Sequence, residues 1–282
     1  MSRAAVEKRM LTRKSSKVPH LPASDDQQGF LYTKIGVWIV RAVTLAVVLT
    51  AWELYGRTTS PGLFAPPSAV VEAAYEVALA DTILWTAASS SLIALVAGLS
   101  AAIVVGIGLG ILMGWYRVAE YLLDPYVSFM YALPMSAILP LLIIWFGIDV
   151  KVRILLVFLI CVFPLIISTM AGVKAVRSEL VDVARASCAS ELQILRTVIL
   201  PGSLPFIFAG LQVAIGLALS GTIVAEMIVA LSGLGGLVVT YANTFEAAKV
   251  FVPLALIVTM SLGMVAALRF VRKRVMPWDR SF

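Results

Sequence analysis

Apolar positions run through this chain in long, nearly uncharged stretches, and polar residues are confined to the gaps between them. Six stretches lie at about 36–55, 83–114, 121–146, 154–176, 204–230 and 250–271. Each has the roughly 20 residues that a helix needs to cross about 30 Å of hydrocarbon. The pattern predicts an all-α, polytopic membrane protein with about six transmembrane helices. A β-barrel would read as short segments of alternating hydrophobicity. The second stretch is longer than one perpendicular crossing, which predicts tilt or an extension into the aqueous layer. The third is interrupted by Pro134 and Pro140. Each removes a backbone hydrogen bond, and the freed carbonyls must be satisfied by neighbours or by a water-lined cavity. Pro134, Met135 and Pro140 therefore mark either a plain kink or a kink that lines a translocation path.

The gaps give the domain organisation. Residues 1–33 read as a tail, 34–276 as a transmembrane domain containing a polar loop at 177–201, and 277–282 as a second tail. The first tail is polar and basic, the composition of a disordered segment. No apolar core follows its early charges closely, so it does not read as a signal peptide. Pro61, Pro66 and Pro67 make a loop after the first stretch. Ser68 is then placed to cap a short amphipathic helix from Ala69 to about Leu79, with Glu72 and Glu76 on one side.

Composition agrees with a membrane class: 61% of residues are hydrophobic and 13% charged, where soluble domains carry about a quarter. The basic residues orient the spans. With the amino terminus inside, only Arg57, Lys151, Arg153 and Lys249 of the 22 Lys and Arg fall on outer loops. Basic residues favour the cytoplasmic side, so both termini and the 177–201 loop are placed in the cytoplasm. The net charge of +6 needs no nucleic-acid partner; the basic ends suit anionic membrane lipid.

Candidate chemistry is sparse. No G-x-x-x-x-G-K-[ST] phosphate loop is present, and Gly233, Gly235 and Gly236 are followed by apolar residues in what reads as an outer loop. No His, Cys, Asp and Glu cluster has metal-ligand spacing, and no nucleophile–base pair is visible. Cys161 falls in a span and Cys188 in a cytoplasmic loop, so a disulfide between them is not expected. His20, the single histidine, sits in the polar tail. The chain reads as a non-enzyme that holds no cofactor, its energy supplied by another subunit or a gradient. Gly106, Gly108, Gly110 and Gly114 give the second span a small-residue face, for close helix packing or for sliding. Glu226 is the one acid deep in a late span, with Gln212 four turns earlier. An intramembrane carboxylate is a functional candidate by default, yet this one lies about a turn from the outer surface, within reach of water or a neighbouring helix cap.

The polar loop carries the most specific signal. It runs Asp182-Val183-Ala184-Arg185-Ala186-Ser187-Cys188 and on to Val198-Ile199-Leu200-Pro201, with Glu191 and Arg196 between. This order resembles the signature loop of ABC-transporter permeases: E-A-A, three residues, Gly, nine residues, I-x-L-P. Asp182 takes the Glu position, Val183 and Ala184 the two Ala positions, Cys188 the Gly position and Val198 the Ile position; Leu200 and Pro201 match. Three further segments are similar to the permeases that import sulfonates, taurine and nitrate. They are Leu133-Pro134 through Trp145-Phe146-Gly147, Ala225-Glu226 with Ser232-Gly233-Leu234-Gly235, and Phe64-Ala65-Pro66-Pro67-Ser68. The likeness covers about Leu54 to Pro277. Cys188 is the notable departure: a Cβ disfavours positive φ, so the bend that Gly makes in the family is expected to be looser here, or made nearby.

The resemblance implies a type I ABC-importer permease of a bacterial inner or plasma membrane, acting as a homodimer. It implies two ATPase subunits that bind the ATP and Mg, and a periplasmic or lipid-anchored binding protein that delivers a small nutrient, with a lean toward an organic anion. The segment from Arg185 to Arg196 would be the coupling helix that plugs into the ATPase. Two other readings stand beside it: a gradient-driven transporter or channel without an ATPase, which predicts more buried ionisable residues, and a membrane scaffold, which gives the polar loop no purpose.

Overall fold

The structure, a computed structural model, describes residues 34–60, 62–80, 82–229 and 233–278; the tail expected at 1–33 and the residues from 279 lie outside these. All regular structure among the described residues is helical. This is what long apolar runs dictate, because backbone groups in lipid must be satisfied within their own segment. Helix α1 is Lys34–Thr58, α2 Pro67–Ala80, α3 Thr82–Trp115 and α4 Arg117–Ala132. A 3-10 turn at Met135–Ile138 leads into α5, Leu139–Phe146. Helix α6 is Val150–Lys174, α7 Ser178–Ala186, α8 Glu191–Ile194, α9 Leu200–Val229, α10 Gly233–Asn243 and α11 Ala247–Val275. Helix α1 carries the boundary, at Trp52–Glu53, between two units of the chain. Up to Trp52 it exposes apolar side chains along its length, among them Trp38, Val43 and Val47.

Helices α1, α3, α6 and α11, and the rod running from Glu191 to Ile228, are each long and apolar enough to cross a membrane. The expected third span is a bent pair, α4 and α5 meeting at 83°. The break is at Pro134, which precedes the 3-10 turn, while Leu133 ends α4 in an extended conformation. Pro140 was expected to cost a backbone bond as well. It sits instead in the first turn of α5, where its missing N–H would have had no intrahelical partner.

Three other expectations are corrected. Glycines 233, 235 and 236, read as an outer loop, open helix α10. Ser68 lies inside α2, and the acceptor at that helix start is Glu53: Ser68 N–H and Oγ donate to its carboxylate at 3.1 and 2.7 Å. Arg153, assigned to an outer loop, is in the first turn of α6 and 5% exposed.

Helix α6 is the centre of the unit. It packs along α3 on one side and α9 on the other. Ala94, Gly98, Ala102, Gly106, Gly110 and Gly114 recur every fourth residue of α3. A Cβ added at Gly98, Gly106, Gly110 or Gly114 would strike α6 at Val157, Leu165, Thr169 or Val173 respectively. Both series rise together, so α3 and α6 run parallel in close contact. Gly108 meets nothing and lies off this face. Against α9 the order reverses: Gly172 meets Phe206, Gly210 meets Ser168 and Gly221 meets Ile160, an antiparallel pair. Segment α7–α8 therefore lies at one end of the α6–α9 pair, and α10 at the other.

Candidate functional site

The signature segment folds as two short helices, α7 and α8, with a bend between them. Helix α7 turns Val181 and Ala184 inward against Val173, Ile194 and Ile199, at the ends of α6 and the rod. It leaves Asp182, Val183, Arg185 and Ala186 exposed. It ends at Cys188, which holds φ at +58°. The N–H of Cys188 donates to Arg185 O, and that of Ala189 to Ala184 O. These paired bonds close a helix end around a left-handed residue, usually glycine. The tight bend is thus made at Cys188 itself, and the expectation of a looser one is overturned. Ser190 then starts α8 with reciprocal bonds to Gln193: Gln193 N–H to Ser190 Oγ at 3.4 Å, and Ser190 N–H to Gln193 Oε1 at 2.7 Å. Arg185 and Glu191 approach to 3.6 Å across the bend, both more than half exposed, a pair of little energetic weight. Arg196 is exposed. A wider helical turn at Leu195–Ile199, closed by Leu200 N–H to Leu195 O, lies directly before Pro201, whose ring and missing N–H disturb a regular ladder. Leu200 and Pro201 therefore belong to the membrane-crossing rod.

The broken third span forms one wall of a cleft of about 370 Å³. Leu133, Met135 and Ser136 face Phe163 of α6 and Ser220 and Gly221 of α9 across it. Its lining includes no charged residue; Tyr131, Ser136 and Ser220 supply hydroxyls. Of the path candidates, Met135 lies on this wall and Pro134 makes the break beside it. Pro140 is exposed on α5 and Gln212 on α9, both outside the lining.

Glu226 lies outside the cleft too, fully buried, in a cluster that sequence reasoning did not assemble. Arg153 Nη1 donates to its Oε1 at 2.9 Å, and Ser91 Oγ donates to the same oxygen at 2.7 Å. Gly235 N–H donates to Oε2 at 2.9 Å. Ser91 Oγ in turn accepts Leu234 N–H at 2.9 Å, and Arg153 Nη2 donates to Ser90 Oγ at 2.9 Å. The carboxylate therefore caps the start of α10, where unpaired amides and the helix dipole favour an anion. The side chain is fully buried, and of the two partners expected for it the helix cap is the one that the geometry matches. Gly233 is doubly required: its φ is +82°, and a Cβ would land on the Glu226 carboxylate. A small cavity of about 20 Å³ lies against Glu226, room for about one water. The serines at the start of the second span and an arginine directly ahead of an apolar run were the available signals. No local spacing pairs Arg153 with a residue 73 positions away.

Residues 102–277 match the family described as the inner membrane component of binding-protein-dependent transport systems. The chain belongs to that family. It is similar to the taurine transport system permease protein TauC of Escherichia coli K12, at 35% identity over 83% of this chain and 88% of that protein. It is 29% identical to the riboflavin transport system permease protein RibX of Chloroflexus aurantiacus, over 85% of this chain and 90% of that one. The putative aliphatic sulfonates transport permease protein SsuC of Bacillus subtilis is 28% identical, over 87% and 89%. Among solved structures, a chain of the inward-facing MetNI methionine ABC transporter superposes with a TM-score of 0.60 at 18% identity, covering 68% of this chain and 96% of that one. The fold is that of type I ABC importer permeases. This permease is a membrane-spanning transport subunit of an ABC importer, an inner-membrane component, and the gradient-driven alternative is not favoured.

Proposed function

We propose that the permease forms, with a second copy of itself, the translocation path for a small organic anion. In this reading the substrate is delivered by a binding protein and driven across by two ATPase subunits that bind ATP and Mg. The α7–α8 segment is the ATPase dock and lies in the cytoplasm with both termini, as the basic-residue count suggests. The observation that carries the reading is the exposed ridge of Leu180, Val183 and Leu192. It is flanked by Asp182, Arg185 and Glu191, on a segment anchored to the same two helices that wall the apolar cleft. Apolar side chains held outward on a small polar segment suit a protein partner better than water. The substrate class leans on the relatives named for taurine and aliphatic sulfonates. The uncharged cleft suits a path that passes its solute without holding it, leaving selectivity to the binding protein. The basic end of α11, Arg269 to Arg274, suits anionic lipid.

The test is uptake of labelled taurine into vesicles holding the permease with its ATPase and binding protein. The reading expects uptake that requires ATP, is competed by alkanesulfonates and is unaffected by a protonophore at constant ATP. Uptake without ATP, or collapse with the proton gradient, overturns it. Val183→Glu and Arg185→Glu should weaken co-purification of the ATPase while the permease still inserts. Wild-type yield for both would show that the dock lies elsewhere.

A further inference from the structure

We propose that Arg153 and Glu226 are positioning residues of the transport cycle. They clamp together the ends of α6 and α9 remote from the ATPase dock and so tie the dock to helix α10. The inference rests on the reading of α7–α8 as that dock.

The two helices that carry the pair are the two that carry the dock. Helix α6 runs from Arg153 to Lys174, about 30 Å of helix, and then enters α7. The rod starts at α8 and reaches Glu226 at its far end. Between these ends the helices are in contact throughout. Gly172 meets Phe206, Gly210 meets Ser168 and Gly221 meets Ile160, and Cys161 Sγ donates to Ala214 O at 3.4 Å. With small residues at each crossing, the two helices pack closely along their length. In the proposal a push on α7–α8 reaches the Arg153–Glu226 end through this packed pair.

The chemistry of the clamp fits a connector better than a simple fastening. Two apolar side chains of the same volume would hold α6 to α9 as well or better, because desolvating an ion pair offsets most of its attraction. What the pair adds is direction and reach. Through Arg153 Nη2 it holds Ser90, and through Ser91 it holds Leu234 N–H. Through Glu226 Oε2 it holds Gly235 N–H. Helices α3, α6, α9 and α10 thus meet at one carboxylate. The first turn of α10 cannot shift against α9 without breaking these bonds, since Gly233 leaves no slack above the carboxylate. Such a junction either keeps its bonds or breaks them, which is the behaviour that rigid-body switching elements use.

The test uses the permease assembled in vesicles with its ATPase and a binding protein loaded with taurine. It compares hydrolysis with and without the binding protein. Two substitutions probe the clamp: Ser91→Ala, which cuts the relay to Leu234 and leaves the ion pair, and the double Arg153→Gln, Glu226→Gln, which removes both charges together. The proposal expects both to assemble and to keep basal hydrolysis within about twofold, while stimulation by the binding protein falls at least about fivefold. Unchanged stimulation alongside a lowered melting temperature would assign the cluster to the fold alone and overturn the proposal. Should the double substitution not assemble, Ser91→Ala decides by the same comparison. If the unsubstituted permease binds no ATPase, the docking reading fails first and this one with it. If it binds ATPase and only the stimulation ratio is unmoved, this inference fails and the docking reading stands.

Discussion

Glu53 and Glu226 each lie near the end of a long helix, pair with an arginine, and accept an amide from the first turn of the next helix. Glu53 accepts Arg57 Nε at 2.7 Å and the N–H and Oγ of Ser68 in α2. Glu226 accepts Arg153, Ser91 and Gly235 in α10. The groups are nearly the same; their surroundings are opposite. The side chains of Arg57 and Glu53 are 68% and 24% exposed, those of Arg153 and Glu226 6% and 0%. At the surface water stands in for a lost partner. In the interior nothing does, so breaking one bond leaves a bare charge.

The largest expected effect follows from that difference. Glu226→Ala strands the Arg153 guanidinium among α3, α6 and α9 and uncaps α10. An unpaired buried charge costs about 3–5 kcal/mol, a large share of the roughly 5–15 kcal/mol by which folded proteins are stable. Thermal unfolding of the detergent-solubilised protein measures it. Because the two charges fail together, the double Gln substitution should be more stable than Glu226→Gln alone, the non-additivity expected of residues in direct contact.

How much of this was legible follows the same division. The spans were legible because hydrocarbon imposes a length and a composition on each one. The signature segment was legible because its residues are neighbours in sequence. Pro134 was readable as a break; the 83° angle was not, because it depends on what α5 packs against. Pro140 was misread because its cost depends on its distance from a helix start, and the pattern did not locate that start. Arg57 with Glu53 is an i, i+4 pair that any helix brings together. Arg153 with Glu226 needs the register of α6 on α9, and that register is written in glycines and small residues spread over both spans. Counting Arg153 as an outer-loop charge was reasonable at its sequence position and wrong in space.

Gly233→Ala is the next test in size. It adds a Cβ against the Glu226 carboxylate at a residue with φ +82°. Left-handed backbone costs a non-glycine residue about 1–2 kcal/mol, and the clash comes on top. The expected loss is about 2 kcal/mol or more, read in the same unfolding experiment. A loss near zero would mean that α10 can slide off its cap, which would also loosen the clamp.

Glu53→Ala should lower stability less than Gly233→Ala does. Ser68 N–H and Arg57 then turn to water, and α2 keeps its contacts with α11, including Lys249 against Glu76 at 3.3 Å. Protease sensitivity near Pro66 is the sensitive readout, with the melting temperature as control. A loss as large as that of Glu226→Ala would show that depth is not what separates the two carboxylates.

The smallest effect has the opposite sign and extends the contrast to backbone strain. Cys188, like Gly233, sits at positive φ, at +58°, but it is exposed. The left-handed backbone strains its Cβ against its own chain. Cys188→Gly relieves about 1–2 kcal/mol of that strain and gives back about 0.5–1 through the freer unfolded chain. The net expectation is a gain of about 0.5–1 kcal/mol, with the bonds of Cys188 and Ala189 N–H to the end of α7 preserved. A thermal-shift comparison of the two permeases measures it, and ATPase co-purification should be unchanged or improved because the bend is the same. A clear loss of stability would mean that the bend at α7 is an ordinary helical turn in which glycine is the poorer residue. The left-handed cap at Cys188, and with it the angle at which α7 presents Val183, would then be wrong.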